Sequence, residues 1–255
     1  MSRRWLQFVV LGASVGLTAC SGFYGRAYGG YIQTALSGDV ALADTGFAVS
    51  TSADIEDDLG LDEDFGSPYV RAELGASIVS VTASAFRYDA SGSGTLPVTF
   101  GGIPAGVPVT SDIEVLNGKA AVLLNFIDLG PVRLAPGLGV DYFDFDLAVQ
   151  SQTVPTVFET IDVQAPVPVV YLQGEVDLGP VALTVDGAAM DASVDDIDGT
   201  FIDLEGMLRV KPFSHTEIFG GYRWISLDVS GSEDGQDYSG DLRLAGWFVG
   251  GGVTF

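Results

Sequence analysis

The chain has 255 residues, is 47% hydrophobic with a mean hydropathy of +0.34, and yet carries 34 acidic against 11 basic residues, a formal charge of −23. A soluble domain of this size seldom joins positive mean hydropathy to so large an acidic excess, so part of the apolar content calls for a surface that does not face water. Nucleic acid is excluded as a partner, because phosphate binding needs a concentrated basic face.

The first twenty residues have a basic start at Arg3 and Arg4, a short apolar run and small residues before Cys20, the pattern of an export signal and too short to span a bilayer. Leu17-Thr18-Ala19-Cys20 resembles the lipobox of bacterial lipoproteins. That resemblance implies a signal peptide over residues 1–20, lipidation of Cys20, and a mature domain over residues 21–255. The alternative is an ordinary signal cut near residue 22, which removes Cys20. Cys20 is the sole cysteine, so no intramolecular disulfide forms.

No later segment approaches the ~20 apolar residues of a membrane helix, so a membrane-spanning chain must cross as strands. Hydrophobic alternation and turn residues predict strands near 24–42, 68–76, 78–90, 110–127, 132–149, 160–177, 181–191, 200–212, 217–230 and 239–255. Val132, Leu134, Pro136, Leu138, Val140 and Tyr142 share one parity against Arg133, Gly137, Gly139 and Asp141. Val170, Leu172 and Val176 oppose Gln173 and Glu175, and Val181, Leu183 and Val185 oppose Thr184 and Asp186. Ile202, Leu204, Leu208 and Val210 oppose Asp203, Glu205, Arg209 and Lys211. One face suits lipid and the other a polar interior. Pro136, Pro166 and Pro168 weaken their strands, since proline gives no ladder donor.

Two turns repeat the same four residues, Asp128-Leu129-Gly130-Pro131 and Asp177-Leu178-Gly179-Pro180. Longer connections rich in acid, Gly, Ser and Thr are expected over 43–67, 90–111, 150–160, 192–200 and 230–239. The expected fold is all-β: a closed antiparallel up-and-down transmembrane β-barrel of ten strands, with eight as the alternative. An even count puts both termini on one side, the periplasmic one in an outer membrane. Closure leaves no unpaired backbone edge in hydrocarbon.

Gly220-Gly221-Tyr222-Arg223-Trp224-Ile225-Ser226-Leu227-Asp228, followed by Leu244 through Phe255, resembles the closing hairpin of small Gram-negative outer-membrane β-barrel proteins. Asp57-Asp58-Leu59-Gly60-Leu61-Asp62 resembles an acidic stretch that recurs in them. The resemblance implies outer-membrane lipids as surroundings, the barrel-assembly machinery as partner, and Phe255 as the terminal assembly signal. It implies no activity.

Asp54, Glu56, Asp57, Asp58, Asp62, Glu63 and Asp64 form a candidate cation-binding loop, since calcium takes several carboxylate oxygens. The spacing is not that of an EF-hand, and a solvated acidic loop is the plainer reading. Arg71, Lys119, Arg133, Arg209, Lys211 and Arg223 fall on predicted strands, as do Glu73, Asp141, Glu175, Asp186, Asp203 and Glu205. Pointing inward, they would pair as a charge network that plugs the lumen, because an unpaired charge in a narrow interior is costly. The alternatives are a small cation-preferring channel or carrier, and a soluble periplasmic β-sandwich lipoprotein. The one histidine, His215, lies in a turn with Ser214 and Glu217; no nucleophile elbow, phosphate loop or metal spacing accompanies it, so neither catalysis nor a cofactor is expected.

Overall fold

The computed structural model describes residues 23–44, 52–61, 65–194, 197–233 and 236–255. They form a closed antiparallel barrel of ten long strands: β1 Phe23–Asp44, β2 Phe65–Ala76, β3 Val79–Thr95, β4 Pro108–Leu124, β5 Val132–Ser151, β6 Phe158–Asp177, β7 Val181–Val194, β8 Ile197–Phe213, β9 Thr216–Glu233 and β10 Gln236–Thr254. Each strand pairs with its sequence neighbour, and β10 pairs with β1 from Arg26↔Thr254 to Asp44↔Gln236. That seam rules out the β-sandwich, and the count rules out eight strands. Two-residue segments, Ala53–Asp54 and Ile127–Asp128, add to β1 and β5.

The start of β1, the end of β10 and the short turns (residues 77–78, 125–131, 178–180 and 214–215) lie at one end of the barrel. Both Asp-Leu-Gly-Pro turns fold alike: Leu129 donates to the Val132 carbonyl at 3.0 Å and Leu178 to that of Val181 at 2.9 Å. Gly130 and Gly179 sit at φ +83° and +88°, the left-handed region that glycine enters without strain. At the other end two of the expected long connections shrink. Only residues 195–196 separate β7 from β8, and only 234–235 separate β9 from β10. Their Gly, Ser and Asp content belongs to strands that rise above the apolar zone, where a polar exterior is the correct chemistry.

Along β4 and β5 the chemistry of the inner and outer faces inverts once. In the half nearer the short turns, Leu116, Val122 and Leu124 of β4 and Leu138, Val140 and Tyr142 of β5 are exposed, while Asn117, Lys119 and Asp141 are buried. Nearer the long connections, Ile113, Val115, Leu147 and Val149 are buried, while Asp112, Glu114 and Asp146 are exposed. The first half is apolar outside and polar inside over roughly nine to eleven residues, the span of a tilted membrane strand. Tyr31, Tyr142, Tyr222 and Trp247 lie on its outer face, as do Phe23 and Phe255 at its lower margin. Such aromatic rings mark the two boundaries of a lipid belt.

Prolines decide where the ladders stop. Pro68, Pro136, Pro166 and Pro168 all lie within strands, and the ladder on one side of each continues unbroken, as Tyr31↔Pro68, Pro136↔Leu172, Tyr142↔Pro166 and Val140↔Pro168. The ladder on the other side ends beside them, at Tyr69↔Phe86, Leu123↔Gly137 and Val170↔Ala189. A residue without an N–H can face one neighbour only at the cost of a bond, so the surviving ladder marks the side that its nitrogen does not face.

Candidate functional site: the charged lumen

Six basic side chains, Arg26, Arg71, Lys119, Arg133, Arg209 and Arg223, meet seven carboxylates, Glu73, Asp141, Glu175, Asp186, Asp203, Glu205 and Glu217, inside the belt. They come from eight of the ten strands, all but β3 and β10, so the contacts tie opposite walls together. Nearest the short turns, Arg26 grips Glu175 through two bonds of 2.8 and 3.0 Å. Arg133 donates to Glu73 at 2.7 Å, to Glu175 at 2.9 Å and to Gln173 at 3.0 Å. Arg209 lies 2.9 Å from Glu175 and donates to Thr184 and Tyr28, each at 3.0 Å, while the Tyr28 hydroxyl donates to Glu217 at 2.6 Å.

One level higher, Arg71 bridges Asp186 and Glu205, and Glu205 also accepts from the Tyr69 hydroxyl at 3.0 Å. Lys119 reaches Asp203 at 2.9 Å and Glu205 at 3.4 Å. Arg223 forks onto Asp203 at 2.9 and 3.0 Å and donates to Asn117 at 2.8 Å, and Asn117 donates in turn to Asp141 at 2.5 Å. Two opposite charges removed from water hold together only where each is paired, and each of the six cations lies within 4 Å of at least one carboxylate. With six cations against seven carboxylates, the network is close to neutral.

Above this network the interior changes from polar to apolar. Phe86, Tyr88, Phe143, Phe201, Ile113 and Leu147 point inward, and Ile55, Leu59, Leu61, Leu96, Phe100 and Ile103 from the connections pack onto them, all buried. Gly92 and Gly94 make the fit of residues 58–60 on β3 possible: a Cβ at Gly92 would lie 1.8 Å from the Gly60 carbonyl oxygen, and one at Gly94 1.9 Å from that of Asp58. A charged layer and an apolar layer therefore close the lumen in series.

No protein-family model and no curated protein matches the sequence. Among solved structures, the outer membrane protease OmpT of Escherichia coli superposes with a TM-score of 0.54, at 7% identity, over 92% of this chain and 96% of that one. The chain has the fold of a Gram-negative outer-membrane β-barrel. Ail, the attachment invasion locus protein of Yersinia pestis, matches over 92% of this chain and all of its own at 12% identity and TM-score 0.37. Neisserial surface protein A matches at 13% identity and TM-score 0.34, over 92% and 98%. Likeness at such identities concerns the fold.

The barrel brings eleven of the twelve residues named from sequence, Arg71, Glu73, Lys119, Arg133, Asp141, Glu175, Asp186, Asp203, Glu205, Arg209 and Arg223, into one interior. Lys211 differs: it bonds Asp177 at 2.5 Å on the short-turn rim, partly exposed. Sequence reasoning missed Arg26, Glu217, Tyr24, Tyr28, Tyr69, Asn117 and Gln173. Strand parity was the available signal for Arg26, Tyr24 and Tyr28, which share the inward face of β1 with Ile32.

The acidic loop is structural in its described part. Asp54 accepts from the Asp57 N–H and Asp58 from the Asp54 N–H, both at 2.8 Å, so two carboxylates cap a single turn. Glu56 and Asp57 are exposed, and Asp62, Glu63, Asp64 and Cys20 lie outside the described residues. Among the described residues no group of three or more His, Cys, Asp or Glu is arranged to hold a metal. His215 contacts the Thr254 carbonyl at 3.2 Å, while Glu217 turns into the lumen toward Tyr28, so Ser214, His215 and Glu217 form no relay. Phe255 exchanges backbone bonds of 2.8 and 2.9 Å with Gly25, extending the closing seam to the last residue.

Outside the barrel and above the belt, Asp89, Glu114, Asp146 and Asp162 stand opposite one another on β3 to β6. Arg87 meets this row at one end, 2.7 Å from Asp89 and 2.8 Å from Glu114. Asp146, between Glu114 and Asp162, is held above its ordinary pKa by partial desolvation and then by the carboxylates of Asp162 and Asp144.

Proposed function

We propose that the chain is an integral outer-membrane barrel, with both termini periplasmic, that is closed to axial passage and serves a structural or surface-interaction role rather than a catalytic one. The observation that carries this reading is the lumen, crossed from wall to wall by Arg71, Lys119, Arg209, Arg223 and their carboxylates. A water-filled path would have to part a dozen short contacts and then the apolar layer above them. Narrow barrels of this size are filled by side chains, and open aqueous channels are typical of sixteen or more strands. The outward apolar belt supports acyl chains as surroundings, and the exposed ring of Phe255 at the end of β10 is suited to recognition by the assembly machinery.

The acidic long-connection end supports a surface role, since that end presents carboxylates with only Arg87 and Arg243 as described basic partners. Planar-bilayer recording of the purified protein tests the reading. A silent bilayer is expected. A stable cation-selective conductance would establish the channel alternative instead.

A further inference from the structure

Three ladders end beside prolines, and two of the resulting breaks are repaired. Above Tyr69↔Phe86, residues 52–61 lie in the break with Ile55, Leu59 and Leu61 buried. Beyond Leu123↔Gly137, Ile127–Asp128 restores the pairing on β5. Above Val170↔Ala189, between β6 and β7, no segment among the described residues takes that place. β6 continues to Phe158, twelve residues past its last β7 partner, whereas β7 stops at Val194.

We infer that the barrel wall is split between β6 and β7 above Val170 and Ala189, and that the split admits the alkyl chain of an uncharged or cationic amphiphile from the membrane into the upper lumen. This goes beyond axial closure, because a barrel sealed along its axis can still open sideways.

Exposure supports the split. Val163 has the inward parity of Val167 and Val169, yet it is 45% exposed where they are 7% and 5%. Ile161, Ala165, Phe145 and Met190, also inward, are only partly buried. A strand is the wrong occupant for this edge. Pro166 and Pro168 face it without an N–H, so the lower part of the edge offers no donor to an added strand, one of the ways natural edges resist strand addition. An alkyl chain needs no backbone partner and matches the apolar lining.

Position and charge specify the rest. The outward residues just below the split, Val170 and Leu172, belong to the lipid belt, so the opening lies at its upper margin. Beneath it the lumen is shut by Gln173 donating to Asp186 at 2.9 Å and by Arg71 on Asp186. Asp162, Asp191 and Asp198 flank it on the outside, and above the belt β5 to β8 carry no lysine or arginine. A carboxylate or phosphate headgroup would meet like charge there, whereas a neutral or ammonium one would not.

The test uses the full chain, Cys20→Ser, in lipid nanodiscs with two photoreactive probes: dodecyltrimethylammonium and dodecanoate, each with a diazirine near the chain end. After irradiation, adducts are mapped by peptide mass spectrometry. The ammonium probe is expected to label Phe145, Ile161, Val163 and Ala165 several-fold more than dodecanoate does, while both label Val170 and Leu172. A Val169→Cys/Met190→Cys disulfide, which continues the register by one pair, should reduce the inward labelling about tenfold and restore it on reduction. Ala165→Trp, which fills the split without a cross-link, should reduce it as well. Labelling confined to outward residues, or inward labelling that neither closure changes, would overturn the split; equal inward labelling by dodecanoate would overturn the ligand class. Bilayer conductance is scored separately, so this inference and axial closure fail independently.

Discussion

Arg223 on β9 and Asp203 on β8 form a forked pair, Nε to one carboxylate oxygen at 3.0 Å and Nη2 to the other at 2.9 Å, with neither side chain appreciably exposed. The same guanidinium stands 5.1 Å from the centre of the Phe86 ring, at the boundary between the charged and apolar layers. Removing one member leaves the other as a buried uncompensated charge, which costs about 3–5 kcal/mol, whereas replacing both by apolar residues of similar volume is far milder. Arg223→Met or Asp203→Leu alone should lower the urea midpoint for unfolding from bilayers, and the double variant should recover most of the loss. A double variant no better than the worse single would contradict this coupling.

Closure in series makes a second prediction. Arg71→Ala combined with Arg223→Ala removes the centre of the charged layer but leaves Ile55, Leu59, Phe100 and Ile103 in place. Planar bilayers of this variant should remain silent, although the protein is less stable. Steady conductance would show that the charged layer alone closes the lumen.

Residues 52–61 are held against β3 because Gly92 has no side chain. Gly92→Ala would put a methyl group 1.8 Å from a carbonyl oxygen, closer than any relaxed contact allows. Limited proteolysis should then cut within 52–61 at least several-fold faster than in the wild type, with the belt strands unaffected. An unchanged cleavage rate would mean that the segment is not anchored on Gly92.

The row Asp89, Glu114, Asp146 and Asp162 gives a pH effect of known sign. Asp146 has a folded pKa above its unfolded value, so the folded state takes up the proton first. Its charge therefore destabilises the fold above the folded pKa, and the penalty disappears below the ordinary aspartate pKa of about 3.9. Asp146→Asn should be more stable than wild type near neutral pH and indistinguishable from it well below that value, as read by urea midpoints at the two conditions.

Much of the barrel was legible in the sequence because lipid enforces strict alternation. Ile202, Leu204, Leu208 and Val210 against Asp203, Glu205 and Arg209 could be assigned to faces before any pairing was known. The upper barrel was less legible because its chemistry inverts there. Ser91, Gly92, Ser93 and Gly94 read as part of a connection by composition, although they continue β3 opposite Asp112 to Val109 of β4. The prolines were read as weaknesses of their strands; they are instead the points at which one ladder is released and the other kept. Partners such as Asn117, Tyr69 and Gln173 carry no charge, and what selects them is their height in the barrel, which a linear pattern does not contain.

One parity of every strand in the lower half of the barrel faces acyl chains. Trp224 and Trp247 both lie on that outer face, and Trp247 is 71% exposed there. In vesicles of brominated lipid, the Trp5→Phe protein should lose most of its tryptophan fluorescence, while aqueous iodide quenches it little. Strong quenching by iodide with no response to brominated lipid would place that face in water and contradict the account.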